Sequence, residues 1–318
     1  MLKELPGEFI GQAADFCWER CKEAGTCSYP LFANKAEIEE EFRLRSGETN
    51  ALLLGYYSGG ELAGVFCFFT IPAERYLQTT AFYAEKTCYT EAVNTFLCYL
   101  AAQYQAYTAY IGVPAENENA VNGLKRNGYA LEDACCDLRC GISDSMAQWA
   151  EGGILRVTEE QFDEYASFHD VHFPDIYWNA ERLCSAQRDW RIFASRDGGQ
   201  IGAGVFLRIY DDLAEIFGLC IQDRESGTKL LRHALGAVRA ENTAVKTIVF
   251  LTDESDETAL AAAQECGFRC AGHYRLWCRA LPQYNAVDGS GKLQRRRRER
   301  QEKIKKTPLF SDASARGV

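Results

Sequence analysis

The residues best placed to do chemistry lie in one stretch, Leu219-Cys220-Ile221-Gln222-Asp223-Arg224-Glu225-Ser226-Gly227-Thr228-Lys229. An apolar, strand-like run stops at Ile221, a short polar loop with one glycine follows, and a helical pattern takes over near Thr228. A helix that begins directly after a strand aims unpaired backbone N–H groups, and the positive end of its dipole, at any anion above it. Gly227 permits close backbone approach and Arg224 and Lys229 add charge-assisted donors, so the loop reads as a cradle for a pyrophosphate. A second reading needs no ligand: Ser226 caps the helix and Glu225 complements its dipole.

Elements on either side must hold this loop in place. Trp190 to Ser195 and Gln200 to Tyr210 flank Gly198-Gly199 and read as a β-hairpin, and a third strand runs from Ala214 to Ile221. Leu230, Leu231, Ala234, Leu235 and Val238 then form one apolar face of a helix over 228–241. A buried-strand pattern at Lys246 to Thr252, an Ala-rich helix from Asp256 to Cys266 and a last strand from Phe268 to Arg279 complete the order β-β-β-α-β-α-β. Its parallel pair needs a helical crossover, which the 228–241 helix supplies.

The first half of the chain repeats that order, with a hairpin at Leu52 to Tyr57 and Leu62 to Ile71 and a third strand at Thr79 to Glu85. Gly59-Gly60 and Gly198-Gly199 are 139 positions apart. The same offset carries Asn117-x-x-Ala120-x-x-x-Leu124-x-x-x-Gly128-Tyr129 onto Asp256-x-x-Ala259-x-x-x-Ala263-x-x-x-Gly267-Phe268. Solenoid and propeller repeats run to roughly 20–50 residues, so a period this long means a duplicated domain.

Residues 214–231, followed by the helix ending Cys266-Gly267-Phe268, resemble the GNAT superfamily of acyl-CoA N-acyltransferases. The signature there is Gln/Arg-x-x-Gly-x-Gly/Ala after a strand and a later Asn-x-x-Ala…Tyr-x-x-x-Gly-Phe. Gln222 and Gly227 match the ends of the first motif, while Glu225 stands at its middle glycine, Asp256 at the Asn and Ala263 at the Tyr. The resemblance implies an α/β (α+β) fold of two domains, each a mixed, mostly antiparallel sheet with a central parallel pair and flanking helices. It also implies acetyl-CoA as cosubstrate. Its pantetheine arm would pair with backbone groups of Leu219, Cys220 and Ile221, its phosphates would meet Gln222 to Lys229, including Thr228, and Asp256 would close the site. In the first half the loop lands on Tyr83-Ala84-Glu85-Lys86-Thr87-Cys88, which has no glycine and would repel phosphate through Glu85. That copy is expected to be degenerate.

By the same resemblance the acceptor side is the segment before the second hairpin, Phe168 to Trp178. Its Asp175, Tyr177 and Trp178, with Asp170, supply carboxylates and aromatic faces suited to an amine cation, and His172 and His169 are bases near neutral pH. Aromatic residues there serve equally well as core anchors. An amine must be neutral to attack a thioester, so a base has to take its proton. Glu215, near the start of the strand lining the cleft, is the first candidate, a solvent-facing side chain being the other reading, and Tyr274 or water would protonate the departing thiolate because Ala263 has no hydroxyl.

Composition sets the frame. The 318 residues are 47% hydrophobic with a net charge of −10, enough for two cores of ordinary size. No apolar run has the roughly 18 residues of a membrane span and Met1 to Pro6 lacks a signal-peptide pattern, so the cytoplasm is expected. The fourteen cysteines sit in apolar stretches as core thiols, and spacings such as Cys135-Cys136-x3-Cys140 lack paired C-x2-C knuckles, so no metal site is expected. Domains are drawn at 1–145 and 154–281, with a linker at 146–153 and a flexible tail at 282–318. Lys292 to Lys306 holds nine basic residues against Glu299 and Glu302. The expected function is N-acetyl transfer from acetyl-CoA to a primary amine of a small molecule or peptide. The other class is a non-catalytic protein of this fold whose basic 292–306 tail recruits RNA or an acidic partner.

Overall fold

The computed structural model describes residues 1–174 and 176–283, so the basic tail and Asp175 lie outside the described residues. The first half of the chain runs β1 (Leu2–Glu4), α1 (Ile10–Cys21), α2 (Lys35–Gly47), β2 (Ala51–Ser58), β3 (Glu61–Ile71), β4 (Tyr76–Ala84), α3 (Tyr89–Gln103), β5 (Thr108–Pro114), α4 (Glu118–Arg126) and β6 (Ala130–Gly141). The second half repeats it as β7 (Ile154–Arg156), α5 (Phe162–His172), α6 (Ala180–Ser185), β8 (Trp190–Asp197), β9 (Gln200–Ile209), β10 (Leu213–Cys220), α7 (Arg224–Glu241), β11 (Thr247–Asp253), α8 (Glu257–Glu265) and β12 (Arg269–Ala280). Both hairpins turn on glycine pairs with positive φ, 61° and 92° at Gly59-Gly60 and 56° and 89° at Gly198-Gly199, as a two-residue turn matched to strand twist requires.

The chain divides into two compact units that depart from the sequence halves. Among the described residues, one comprises Met1–Ala134 with residues 274–283, and the other Cys135–His273. In the first the strand order is β1-β2-β3-β4-β5-β12, with Tyr274 to Ala280 antiparallel to Pro114 to Thr108. In the second it is β6-β11-β10-β9-β8-β7, with Cys135 to Gly141 antiparallel to Asp253 to Thr247. Each half of the chain thus gives its last strand to the other unit's sheet. Each of these sheets has one parallel pair, β4 with β5 and β10 with β11.

Period-2 alternation gives each strand two apolar faces, and helices cover both. In the first unit α3 and α4 bury one face around Phe66, Phe82, Phe96 and Ile111, and α1 and α2 bury the other around Ile38, Phe42 and Val65. In the second, Leu230, Leu231 and Leu235 of α7 and Ala262 of α8 pack on Val205, Ile216 and Phe250, while Phe162, Tyr165 and Leu183 of α5 and α6 pack on Trp190 and Phe206. The stretch expected as a linker, 146–153, packs on α7. A Cβ on Gly236 of α7 would overlap the Trp149 carbonyl oxygen, and the Glu151 N–H donates to His233 Nδ1 at 3.3 Å.

Candidate active site

β10 and β11 pair only from Leu213 to Ile216 against Thr247 to Phe250. Beyond that point β11 stays with β6 as far as Asp253 and β10 stays with β9 as far as Cys220, so the two parallel strands part. A bulge between Ile216 and Gly218 marks the divergence, with Phe217 skipped in the register. Gly218 is required there, because a Cβ would overlap the Phe206 ring and lie 2.8 Å from Phe173 Cε1. The edge of β10 past the bulge therefore has no partner on β11, and Phe217, Leu219, Cys220 and Ile221 are all partly exposed. Backbone donors and acceptors along such an edge can take up an extended ligand.

Next to this edge α7 begins one turn earlier than the 228–241 expected, and the cap is Asp223, not Ser226. The Asp223 carboxylate accepts from the Ser226 N–H at 2.9 Å, and the Ser226 hydroxyl donates to the Asp223 carbonyl at 2.9 Å. Gly227 lies buried inside the first turns, where a Cβ would come 2.6 Å from Ile221 Cδ1 and 3.0 Å from Ala262 Cβ. Its smallness serves the packing of α7 on Ile221 and α8. Arg224 pairs with Glu265 at 3.2 Å, Lys229 with Glu225 at 2.7 Å, and the Thr228 hydroxyl donates to Glu265 at 2.9 Å. Gln222 is exposed, and Asp256 caps α8 by accepting from the Ala259 N–H at 2.9 Å.

Glu215 lies on β10 opposite Arg208 of β9 and is 2% exposed. Its Oε2 has no hydrogen-bond partner among the described residues. Burial first, and then the nearby Asp137 carboxylate, push its pKa well above the carboxylate range, with Arg208 pulling the other way. Asp137, on β6, is itself fully buried and held by both arms of Arg139 at 3.0 Å. A carboxylate raised in this way is a stronger base than one in water.

No family model matches the sequence, and no curated protein does. Solved structures match along most of its length. A GCN5-related N-acetyltransferase from Sphaerobacter thermophilus aligns with a TM-score of 0.63 at 14% identity, covering 90% of this chain and 97% of that one. A tandem GNAT protein from the clavulanic acid biosynthesis pathway aligns with a TM-score of 0.52 at 13% identity, covering 90% of this chain and 99% of that one. The chain has a tandem GNAT fold.

In this fold the residues expected on the acceptor side divide. His172 is exposed and stacks on Phe168 at 4.4 Å, and Tyr177 carries the Arg182 guanidinium 3.9 Å from its ring centre. Trp178 is a core residue against Trp190 at 4.9 Å. His169 is buried, its Nε2–H donating to the Trp178 carbonyl at 2.8 Å and its Nδ1 accepting from the Tyr165 hydroxyl at 3.1 Å. Burial lowers its pKa, which makes it a neutral structural link. Tyr274 belongs to the first unit, where its ring meets Tyr29 at 4.8 Å and lies on Gly112 of β5.

Two groupings escape any reading of spacing. Asp137 comes near Glu215 because β6 joins the second unit's sheet. Cys136, Cys270 and His273 also bring their ligand atoms within 4.8 Å of one another. Zinc held by thiolates at about 2.3 Å needs sulfurs about 3.8 Å apart, and Cys270 Sγ is turned to the Gly272 carbonyl at 3.3 Å.

Proposed function

We propose that the chain is an acyl-CoA-dependent N-acyltransferase that moves an acetyl group from acetyl-CoA to a primary amine of a small molecule or peptide, through its second unit. The observation that carries this reading is the parting of β10 from β11, which opens a backbone edge beside the start of α7. The pantetheine arm would run along Leu219 to Ile221, with the pyrophosphate above the first turn of α7. Arg224 and Lys229 reach phosphate by leaving Glu265 and Glu225, a small cost because both pairs are largely exposed. Binding then sets the thioester carbonyl where the amine attacks, and orientation of this kind contributes about 7–11 kcal/mol to a barrier.

In the transfer the amine nitrogen bonds to the thioester carbon and the carbon–sulfur bond breaks. Glu215, directly or through water, takes the proton from nitrogen, and water returns one to the CoA thiolate. Burial raises the pKa of Glu215, so its ionised form is a stronger base than a carboxylate in water. His172, Tyr177 and Asp175 stand on the segment offered to the acceptor. The cytoplasm fits fourteen reduced cysteines, and no helix among the described residues is long and apolar enough to cross a membrane.

A second reading, a non-catalytic protein of this fold whose tail recruits a partner, is favoured by Asp223 and Glu225, which set two carboxylates at the end of α7 where an anion would bind. Purified protein offered acetyl-CoA and a panel of amines separates the two. Thiol release that depends on the amine supports transfer, and the absence of acetyl-CoA binding at millimolar concentration would leave the second reading.

A further inference from the structure

We propose that the first unit's cleft is already filled by the chain itself, with residues 26–30 lying where the second unit would take the arm of acyl-CoA. The identity of that ligand rests on the function proposed above, while the filling does not.

The two clefts open at the same point. β4 pairs with β5 only from Tyr76 to Gln78 against Thr108 to Tyr110, and a bulge skips Thr80 as the bulge of β10 skips Phe217. Two residues beyond the bulge, Phe82 therefore stands where Leu219 stands. The equivalence is two positions short of the 139 offset, because the connection from β9 to β10 is shorter than that from β3 to β4. No strand of β5 covers β4 past Gln78, yet all nine residues of β4 are buried, whereas β10 is partly exposed at the matching positions.

What covers β4 is the segment between α1 and α2. Thr26, Cys27, Ser28, Tyr29 and Pro30 are all buried. The Phe82 N–H donates to Ser28 Oγ at 2.9 Å, so the donor that a ligand would seek is taken by a serine. Asn117, at the cap of α4, donates its Nδ2–H to the Cys27 carbonyl at 2.9 Å and to the Tyr89 hydroxyl at 3.1 Å, while its Oδ1 accepts from the Ala120 N–H at 3.0 Å. Tyr29 reaches across to Tyr274, the aromatic ring seated on Gly112 of β5. The segment thus bonds to β4, to the α4 cap and, through Tyr274, to the far wall.

Among the described residues of the second unit, the Asn117 hold has no counterpart. Asp256 replaces Asn117, and a carboxylate has no N–H to offer a carbonyl. The matching dipeptide, Phe173-Pro174, is partly exposed at Phe173 and exposed at Pro174, with the Phe173 ring against Gly218. The exchange of Asn for Asp at one helix cap therefore removes one of the holds that keep the first cleft shut.

Hydrogen exchange and calorimetry on the full chain test this. With saturating acetyl-CoA, one molecule should bind per chain, amides of 218–221 should gain protection and those of 80–83 should not change. A stoichiometry of two, or new protection at 80–83, overturns the proposal. If acetyl-CoA binds nowhere, the proposed function fails, and the filled cleft is still tested without ligand. There the Phe82 amide should exchange slowly, and Ser28→Ala should speed it about tenfold while amides of 218–221 keep their rates. As a second measure, Asn117→Asp should raise the alkylation rate of Cys27 about tenfold. Phe82 exchange and Cys27 alkylation both unchanged in these variants would overturn the proposal.

Discussion

Replacing Gly227 by alanine asks whether that glycine serves a ligand or the packing of the protein. The new Cβ would stand 2.6 Å from Ile221 Cδ1 and 3.0 Å from Ala262 Cβ, both closer than ordinary contact. Overpacking of this kind costs about 1–3 kcal/mol, and the better helix propensity of alanine returns about 1 kcal/mol, leaving a net loss of about 1 kcal/mol. Ile221→Val removes the Cδ1 atom that is struck first, at a cost of about 0.5–1.5 kcal/mol on its own. The double variant should therefore be more stable than the sum of the single losses predicts, by about 1 kcal/mol in a urea-denaturation cycle. Acetyl-CoA affinity, measured by calorimetry, should follow the recovery. Strict additivity, together with an affinity that alanine lowers and valine does not restore, would refute the packing argument and return Gly227 to the phosphate cradle.

Glu215→Gln should lower kcat by roughly 10²- to 10⁴-fold at neutral pH, with a smaller loss at high pH where free amine is abundant. Because the folded-state pKa of Glu215 is raised, its neutral form adds stability that is complete below the unfolded value and lost as pH rises through the folded one, about 1.4 kcal/mol for each unit of elevation. The melting temperature of the Gln variant relative to wild type should rise over that window, and a difference constant from pH 4 to 9 would show that the carboxyl is not desolvated. Asn117→Ala should cost about 2–3 kcal/mol, since it removes a cap and strands the buried Cys27 carbonyl, whereas Asp256→Ala removes a cap alone for about 1 kcal/mol. Equal losses on urea denaturation would contradict that account. Tyr274→Phe should leave kcat within about twofold, and a hundredfold fall would make that hydroxyl the acid for the thiolate.

The duplication, the glycine hairpins, the strand–loop–helix unit and the repeat of Asn117 at Asp256 were legible in the sequence, because each rests on local periodicity, turn chemistry or a residue repeated at fixed offset. The GNAT fold was what the resemblance carried by Gln222, Gly227 and Gly267-Phe268 implied. The start of α7 was misplaced by a turn, since Asp223 and Ser226 are both good caps and only the hydrogen bonds choose between them. Gly227 reads in the sequence as a phosphate position, and only the fold puts Ile221 and Ala262 against it. The domain boundaries, the Asp137 carboxylate beside Glu215 and the segment filling the first cleft all join residues far apart in the chain. Those juxtapositions depend on which strand of each sheet accepts β6 or β12 and on where the loop after α1 comes to rest. Strand pairing and burial decide such contacts through long-range packing, and neither leaves a periodic mark on the sequence.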